Sequence, residues 1–520
     1  MPKQVADQYA VSLRPATVPL SEEEEWQILD MKPKGDPGTV SKRYGDVQST
    51  ASLSTSPSPE RLPRRIFSTA FGIHIKTGVN EDQVAATKKK LFTIIKAGLL
   101  IPGDGEPFED AALVVENKII AWVGVEADLP KKYVNAPHKE YTVPYLMPGL
   151  WECHAHFGGE GDSDDELGGY AAFIALQPAA AGARLARACW ESLQRGYTSV
   201  RDLAGYGCEV ARAVEDGTIV GPNIYSSGAC LSQTAGHGDV FNLPAGDVHL
   251  NLGVSAVRPG HYGTSQSCIV DGVEECRRAV RLQIRRGARC IKVLASGGVM
   301  SLNDNPLYAQ FSPEELDVIV KEAGRQGRTV SAHVHGKPGI VAAVEAGATT
   351  VEHVSFADEE CIRLIKERGV VYVATRFVVD MLLQMGGKGL ARPSWEKAKL
   401  CATNHLRAYK LAIEAGVTIA LGTDTAPGFN QAVELEYAVK AGMSSLEAIK
   451  AATANGPLTV GAQAPLTGQL KVGYEADILG LTENPVGDVK VLQKKENIRW
   501  VWKGGKIYKG PGVGPWGEEE

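Results

Sequence analysis

PGLWECHAHFGG, residues 148–159, places two histidines two residues apart at the end of an apolar run. Side chains alternate along a β-strand, so His154 and His156 would point to the same face. Two imidazoles at a strand end, followed by a glycine-rich turn, can hold one metal ion. The pattern is short, and two unrelated histidines beside a loop would look the same. Its meaning therefore depends on the rest of the chain.

The region that begins with this segment, about residues 148–465, alternates short apolar runs with helical patterns. One predicted helix opens with an N-cap serine, Ser312, followed by a proline and two acidic residues. Eight strands that alternate with helices predict a (β/α)₈ TIM barrel, an α/β fold. A doubly wound open sheet is the alternative, and the lack of a GxGxxG after the first strand disfavours it. The eight runs end near His154, Asp202, Ser226, Leu294, His333, His353, Thr375 and Asp424.

Two β-rich flanks enclose the barrel region. Residues 91–147 and 466–510 both show strand patterns separated by polar turns, and together they predict a small composite β-sandwich. Residues 1–90 have little core pattern and a stretch rich in serine, threonine and proline, which predicts a mostly disordered N-terminal extension. Residues 511–520 are expected to form a C-terminal tail.

Composition excludes several classes of protein. The 520 residues carry a net charge of −6 without a long basic block, so nothing favours nucleic acid as a partner. No apolar run reaches the roughly 20 residues that a membrane span needs. Nine scattered cysteines without a CxxC pair predict free thiols in a reducing compartment. With no readable signal peptide, the cytoplasm is favoured, while secretion or N-terminal processing stays open.

Polar and charged side chains recur at the predicted C-terminal ends of the barrel strands, where barrel enzymes carry their active sites. Taken singly, each has an ordinary role: a core histidine, a salt-bridged lysine or an aspartate that caps a helix. Because five strand ends carry such groups, the sequence predicts one polar pocket. The residues are His154 and His156 on strand one, Lys292 on strand four, His333 on strand five, His353 on strand six and Asp424 on strand eight.

This order of residues resembles the binuclear-metal branch of the amidohydrolase superfamily. The resemblance covers about residues 90–510. The chain is similar in more detail to the ochratoxinase-type subgroup of fungal zinc amidohydrolases. That subgroup is related to metal-dependent carboxypeptidases that act on Xaa-Pro dipeptides and N-acyl amino acids. The stretches that carry it, besides the first, are RDLAGYGCEV (201–210), SQTAGHGD (232–239), IKVLASGGVMS (291–301), SAHVHGK (331–337) and ALGTDTAPG (420–428).

The resemblance implies two divalent metal ions, with zinc favoured by the imidazole and carboxylate donors and manganese or cobalt left open. It also implies that Lys292 is present as N6-carboxylysine. A protonated lysine would repel a dication, whereas its carbamate is an anionic oxygen donor that can bridge two ions. The implied ligands are His154, His156 and Asp424 for the more buried ion, His333 and His353 for the second, and Lys292 between them.

The family mechanism implies that a hydroxide shared by the two ions attacks an amide carbonyl. Asp424 would act as general base and then as acid toward the leaving nitrogen. His335, two residues after His333, is expected to contact the carbonyl or the oxyanion. Substrate contacts are predicted for His237, for Arg376 with a substrate carboxylate, and for Tyr206. A loop hydrogen bond, a rim salt bridge and packing are the respective alternatives.

The expected substrate is a small amide or dipeptide, cleaved beside a C-terminal amino acid, and ochratoxin A is one such amide. The alternative is a cyclic-amide or imidazolone hydrolase, or a deaminase, of the same superfamily. Lys292 disfavours the mononuclear branch, which needs no bridging carbamate. A non-enzymatic scaffold is disfavoured because all six ligand positions are present. The family often forms homo-oligomers, so a homo-oligomer is expected.

Overall fold

A computed structural model of the chain describes residues 91–159, 178–239, 241 and 266–518. The predicted N-terminal extension, residues 1–90, lies outside the described residues. The strands are β1 Phe92–Leu100, β2 Phe108–Glu116, β3 Ile119–Val125, β4 His138–Pro148, β5 Leu150–Phe157, β6 Tyr197–Gly205, β7 Asn223–Ser226, β8 Cys230–Ser232, β9 Ser267–Ile269, β10 Cys290–Leu294, β11 Thr329–Val334, β12 Thr350–His353, β13 Val371–Val373, β14 Ile478–Leu481, β15 Ile498–Lys503 and β16 Lys506–Lys509. The helices are α1 Lys131–Val134, α2 Pro178–Gln194, α3 Gly207–Glu215, α4 Val273–Arg286, α5 Pro313–Arg325, α6 Lys337–Ala346, α7 Glu359–Glu367, α8 Arg376–Gln384, α9 Arg392–Glu414, α10 Val433–Ala441 and α11 Ser445–Ala451.

The two β-rich flanks meet in one sheet. Seven strands pair in the order β16-β15-β14-β4-β1-β2-β3, and the antiparallel pair of β4 with β14 joins the two ends of the chain. The segment that precedes β14 links two hairpin turns, because Ala476 N–H donates to Lys118 O and Gly505 N–H donates to Ala476 O. A core that contains Leu113 and Trp502 packs on the sheet. The pairing of the two flanks agrees with the composite β unit that the sequence predicted.

Parallel strands form the barrel. The pairs β5–β6–β7 make one sheet, and β10–β11–β12–β13 run parallel in a second. The extended segment 418–425 closes the gap between β13 and β5, where Ala420 N–H donates to Tyr372 O at 3.1 Å and Cys153 N–H donates to Leu421 O at 2.9 Å. On the other side, Arg289 N–H donates to Ser226 O at 2.8 Å and links β7 to the start of β10. The predicted (β/α)₈ barrel is the observed fold.

Burial follows from the barrel geometry. Helices cover the outer face of parallel strands, so such strands are buried on both faces, and every residue of β6 and β10 is buried. The helices present one apolar stripe to the strands. In α4 the buried residues include Cys276, Ala279, Val280 and Gln283, spaced three, four and seven apart on one face.

Local signals fixed one helix start as predicted. At α5 the side chain of Ser312 accepts a hydrogen bond from the Glu315 N–H, and the side chain of Glu315 accepts one from the Ser312 N–H. The two bonds form a capping box. Pro313 occupies the first helical position, where its missing N–H costs nothing.

All nine cysteines are buried as free thiols, as the sequence predicted. In the described part of the chain, no helix combines the length and apolarity that a bilayer span requires.

Candidate active site

A cavity of about 330 Å³ lies at the C-terminal ends of the barrel strands. Its polar side is built by residues from four strands and from the segment that closes the barrel. The cavity is lined by all six residues that the sequence predicted as metal ligands: His154, His156, Lys292, His333, His353 and Asp424.

The polar groups are close enough to share small ions. Asp424 Oδ1 lies 2.8 Å from His156 Nε2 and 3.5 Å from His154 Nε2. One ligand atom each from His154, His353 and Asp424 fit within 4.8 Å of one another. The His333 and His353 rings lie 4.6 Å apart, centre to centre. Imidazole and carboxylate donors at this spacing suit zinc and related divalent ions.

Three of the four histidines among the ligand candidates are held in the form that binds metals. The exception is His156, where burial would lower the pKa but the hydrogen bond with Asp424 outweighs burial and raises it. Burial lowers the pKa of His154 to about 4, and burial also lowers the pKa of His333 and His353 well below the usual value. Neutral imidazole, with one nitrogen free to donate its lone pair, is the state that ligates a metal. Burial would raise the pKa of Asp424, but His154 and the hydrogen bond with His156 outweigh burial and hold the pKa at about 2.

Lys292 has the environment that a metal-bridging group would need. Its side chain lies on β10 and is 2% exposed. Among the described residues, no hydrogen-bond partner reaches its Nζ, and burial lowers its pKa. An unpartnered buried ammonium would be costly. The position therefore fits a lysine that carries a further group, as a carbamate between two ions would require.

A buried carboxylate orients one of the histidines. Glu352 on β12 is fully buried, and its Oε2 lies 2.8 Å from His154 Nδ1. It also accepts hydrogen bonds from Arg201 Nη2 at 2.9 Å and from Ser331 Oγ at 2.7 Å. Burial opposes ionisation, but the charge of Arg201 outweighs it and holds the pKa of Glu352 below its usual range. Since Nδ1 of His154 is engaged, Nε2 is left to face the cavity.

Replacing Glu352 with glutamine should weaken metal binding about 10- to 100-fold, because the anionic partner that fixes the His154 tautomer is lost. Competition with a chelator measures this affinity. Glu322→Gln is the matched control, because Glu322 is also a buried acid, paired with Arg281 at 2.8 Å, and does not line the cavity. That control should bind metal as the parent does. Equal metal affinity in the two variants would remove Glu352 from the site.

Left-handed backbone conformations concentrate at the strand ends. His353, Thr375 and Asp424 have φ of 68°, 54° and 60°. Such conformations are uncommon for residues other than glycine and often mark functional sites. Here they turn side chains toward one another: Thr375 Oγ1 lies 2.7 Å from His353 Nδ1, which leaves the other ring nitrogen toward the cavity.

His237, predicted to contact substrate, does line the cavity. Its ring stacks on His333 at 4.5 Å, and its Nδ1 lies 2.8 Å from Ser301 Oγ. Helix α9 holds the loop after β10, which carries Ser301. Lys397 Nζ donates to Ser301 O at 2.6 Å, and Ser394 Oγ donates to Met300 O at 3.2 Å. Neither contact could be read from the sequence, since about 95 residues separate the partners.

The structure does not bring the other predicted contacts to the cavity wall. The guanidinium of Arg376 is buried, donating to the carboxylate of Asp380 and, at 2.9 Å, to Ala402 O. It therefore joins α8 to α9 and does not line the cavity, where a substrate carboxylate would lie. Tyr206 packs in the main core at the start of α3. The ring of His335 stacks behind His353 at 5.1 Å, with its Nδ1 2.7 Å from Ser355 Oγ.

Comparison with known proteins agrees with this geometry. A model of the amidohydrolase family matches residues 145–508. Ochratoxinase of Aspergillus niger is 64% identical over 437 residues, covering 84% of this chain and 90% of that protein. Its crystal structure matches with a TM-score of 0.78, covering 83% of this chain and 99% of that one.

More distant relatives match over most of their length. A Xaa-Pro dipeptidase with methionine bound in its active site is 27% identical, with a TM-score of 0.69, and the match covers 81% of this chain and all of that one. Imidazolonepropionase of Rhodococcus jostii (strain RHA1) is 26% identical over 428 residues, covering 76% of this chain and 88% of that protein. With its barrel, its cavity of histidines and these matches, the chain belongs to the amidohydrolase family.

Proposed function

We propose that this protein is a binuclear zinc amidohydrolase that cleaves an amide C–N bond beside a C-terminal amino acid. The observation that carries the proposal is one cavity lined by five histidines, an aspartate and a buried lysine that has no hydrogen-bond partner among the described residues. Neither a structural core nor a surface salt-bridge network needs that combination, because each group would be desolvated without full compensation.

Two metal positions account for the donors. His154, His156 and Asp424 would hold one ion, His333 and His353 the other, and the carbamate of Lys292 would bridge them. Bound divalent ions would supply Lewis acidity that polarises the amide carbonyl and lowers the pKa of water toward neutrality. The buried Nζ of Lys292 supports the bridge: the described residues offer it no hydrogen-bond partner, and a carbamate would place anionic oxygens there that divalent ions can bind.

Asp424 would move the proton. Its carboxylate lines the cavity, and a quarter of the side chain is exposed, so a reacting water and a substrate nitrogen can both reach it. With a pKa of about 2 it is ionised at neutral pH and can accept a proton at Oδ. It would then pass that proton to the leaving nitrogen, which an amide requires because an amine anion leaves poorly.

Two further histidines would support the reaction from different places. His237 lines the cavity and is held by Ser301, so it can hydrogen-bond a polar atom of the substrate. His335 lies behind His333 and His353, with ring centres 4.7 and 5.1 Å away. We assign His335 to holding those two rings in place.

The relatives point to the substrate class. One is named for ochratoxin hydrolysis and another for cleaving Xaa-Pro dipeptides. For this chain we propose N-acyl amino acids and dipeptides, with ochratoxin A, an amide of phenylalanine, as the sharpest candidate.

A hydrolysis screen tests the function. The zinc-loaded full chain should release phenylalanine from ochratoxin A faster than it hydrolyses Xaa-Pro dipeptides or simple N-acyl amino acids, and chelator-treated enzyme should be inactive. Turnover of imidazolonepropionate without hydrolysis of any linear amide would instead favour the cyclic-amide alternative suggested by the imidazolonepropionase matches.

A further inference from the structure

The cavity lining contains both polar and apolar side chains. Besides the metal-ligand candidates, the lining includes the strand residues Leu203, Ala204 and Leu294. Four further apolar side chains come from α8 and the loop after β10: Met300, Val378, Met381 and Leu382. We call these four residues the apolar wall. None of them carries a charge or a hydrogen-bonding group stronger than a thioether. The proposed metal binding, proton transfer and histidine contacts involve only polar residues, and none of them involves the apolar wall.

One helix presents most of the apolar wall. Val378, Met381 and Leu382 lie at positions i, i+3 and i+4 of α8, which places them on one face. Leu382 is 8% exposed, whereas Met300, on the loop after β10, is 39% exposed. All four side chains line the cavity, and apolar side chains beside a few convergent polar groups are typical of ligand pockets.

The backbone that carries the apolar wall is firmly held. Both carboxylate oxygens of buried Glu434 accept N–H groups at the start of α8, from Arg376 and Phe377, each at 2.7 Å. The Arg376 side chain then donates to Ala402 O on α9 at 2.9 Å. The helix therefore presents its three lining side chains to the cavity from a fixed backbone, as a preorganised subsite does.

We propose that the apolar wall is the specificity subsite of this enzyme and binds a bulky apolar substituent attached beside the scissile amide. A charged substituent there would lose its hydration and meet no partner among the described residues of the wall. The two methionines, which are flexible and polarisable, suit aromatic and branched groups of different shape. The proposal deepens the proposed function and rests on it.

Met381→Gln tests the subsite, because it keeps the length of the side chain and adds a polar amide. The matched control is Met385→Gln at the C-cap of α8, four residues after Met381, where the side chain is 45% exposed and does not line the cavity. The substrates are two matched pairs: N-acetylphenylalanine with N-acetylalanine, and N-benzoylalanine with N-acetylalanine. The first pair varies the amino-acid side chain and the second varies the acyl group.

In Met381→Gln the preference for the bulky member of one pair, measured as the ratio of kcat/KM values, should fall about tenfold. The affected pair identifies which substituent lies on the apolar wall. Met381→Leu should restore the preference, and Met385→Gln should match the parent. Unchanged ratios in Met381→Gln, with parental metal content and melting temperature, would overturn the subsite while the amidase function stands.

Binding separates the two proposals further. Calorimetry with phosphonate analogues, in which tetrahedral phosphorus replaces the scissile carbonyl, compares benzyl and methyl substituents without turnover. The apolar wall predicts that Met381→Gln weakens the benzyl analogue by about tenfold more than the methyl one. If the parent hydrolyses none of the linear amides, the proposed function fails. If the parent also binds both analogues equally, the subsite fails with it.

Discussion

Lys292→Ala should abolish hydrolysis and remove bound metal in the same step. We expect kcat/KM to fall by at least about 1,000-fold, since losing the group that bridges the ions costs several kcal/mol of transition-state stabilisation. The physical basis is local: Nζ lies in the cavity, is buried, and has no hydrogen-bond partner among the described residues. Metal content by elemental analysis and initial rates, both on the purified chain, measure the effect.

Lys503→Ala is a suitable control for this variant. Lys503 is a half-buried lysine of β15 that donates to Gly221 O at 2.7 Å and does not line the cavity. Its removal should leave metal content and turnover near the parental level. If Lys292→Ala kept two metal ions per chain and full activity, the bridging assignment would be wrong.

The carbamate can be examined apart from the amino acid. A carbamate forms when carbon dioxide adds to a neutral amine, so metal uptake by the parent apoprotein should require bicarbonate. A short carboxylic acid added to Lys292→Ala should restore part of the metal and activity, because it supplies an anionic oxygen donor to the same space. If metal uptake were the same with and without bicarbonate, and the carboxylic acid restored neither metal nor activity, the carbamate assignment would be wrong.

The barrel and the residues that converge on the cavity could be predicted because their signals are local. Parallel strands buried on both faces read as apolar runs, and a histidine or aspartate at the end of such a run stands out. The period of two placed His154 and His156 on one side, and both line the cavity. The same reasoning failed at His335, because β11 ends at Val334 and the alternation ends with the strand. Its ring then turns toward Ser355.

Helix α8 was beyond sequence reasoning for a different cause. It begins at Arg376, directly after Thr375. Thr375 has a left-handed φ of 54°, and its side chain does not cap the helix. The N–H groups of its first turn are satisfied by Glu434, 58 residues later in the chain. A cap supplied from that distance leaves no mark in the local pattern. The residue predicted to clamp a substrate carboxylate, Arg376, is consequently part of the frame of this helix.

The buried acids Glu352 and Glu152 also have partners that are distant in the sequence. Glu352 and Arg201 lie 151 residues apart in sequence, and Glu152 joins two strand ends by accepting the N–H groups of His154 and Thr423, each at 2.9 Å. Burial raises the pKa of Glu152 to about 8. An acid within an apolar strand run, as in both Glu152 and Glu352, was the available signal. Its partner could be found only once the strands were closed into a barrel.

Asp424→Asn should remove turnover while leaving the fold in place. Asparagine is one of the few residues that tolerate the left-handed backbone found here, with φ of 60°, so the substitution changes the charge and not the conformation. An amide cannot accept a proton at neutral pH and return it to the leaving nitrogen. At saturating metal we expect kcat to fall by about 100- to 10,000-fold.

Comparison with a second buried aspartate separates charge from packing. Asp477, 2% exposed, accepts the N–H of Gly504 at 2.7 Å and lies outside the cavity lining. Asp477→Asn should lower the melting temperature and leave kcat near the parental value. Asp424→Asn should lower kcat and leave the melting temperature near the parental value. Because Asp424 also contacts His156 at 2.8 Å, some metal affinity will be lost, and rates must be compared at matched occupancy. Normal turnover of Asp424→Asn at full occupancy would exclude the carboxylate as proton carrier and leave it a ligand alone.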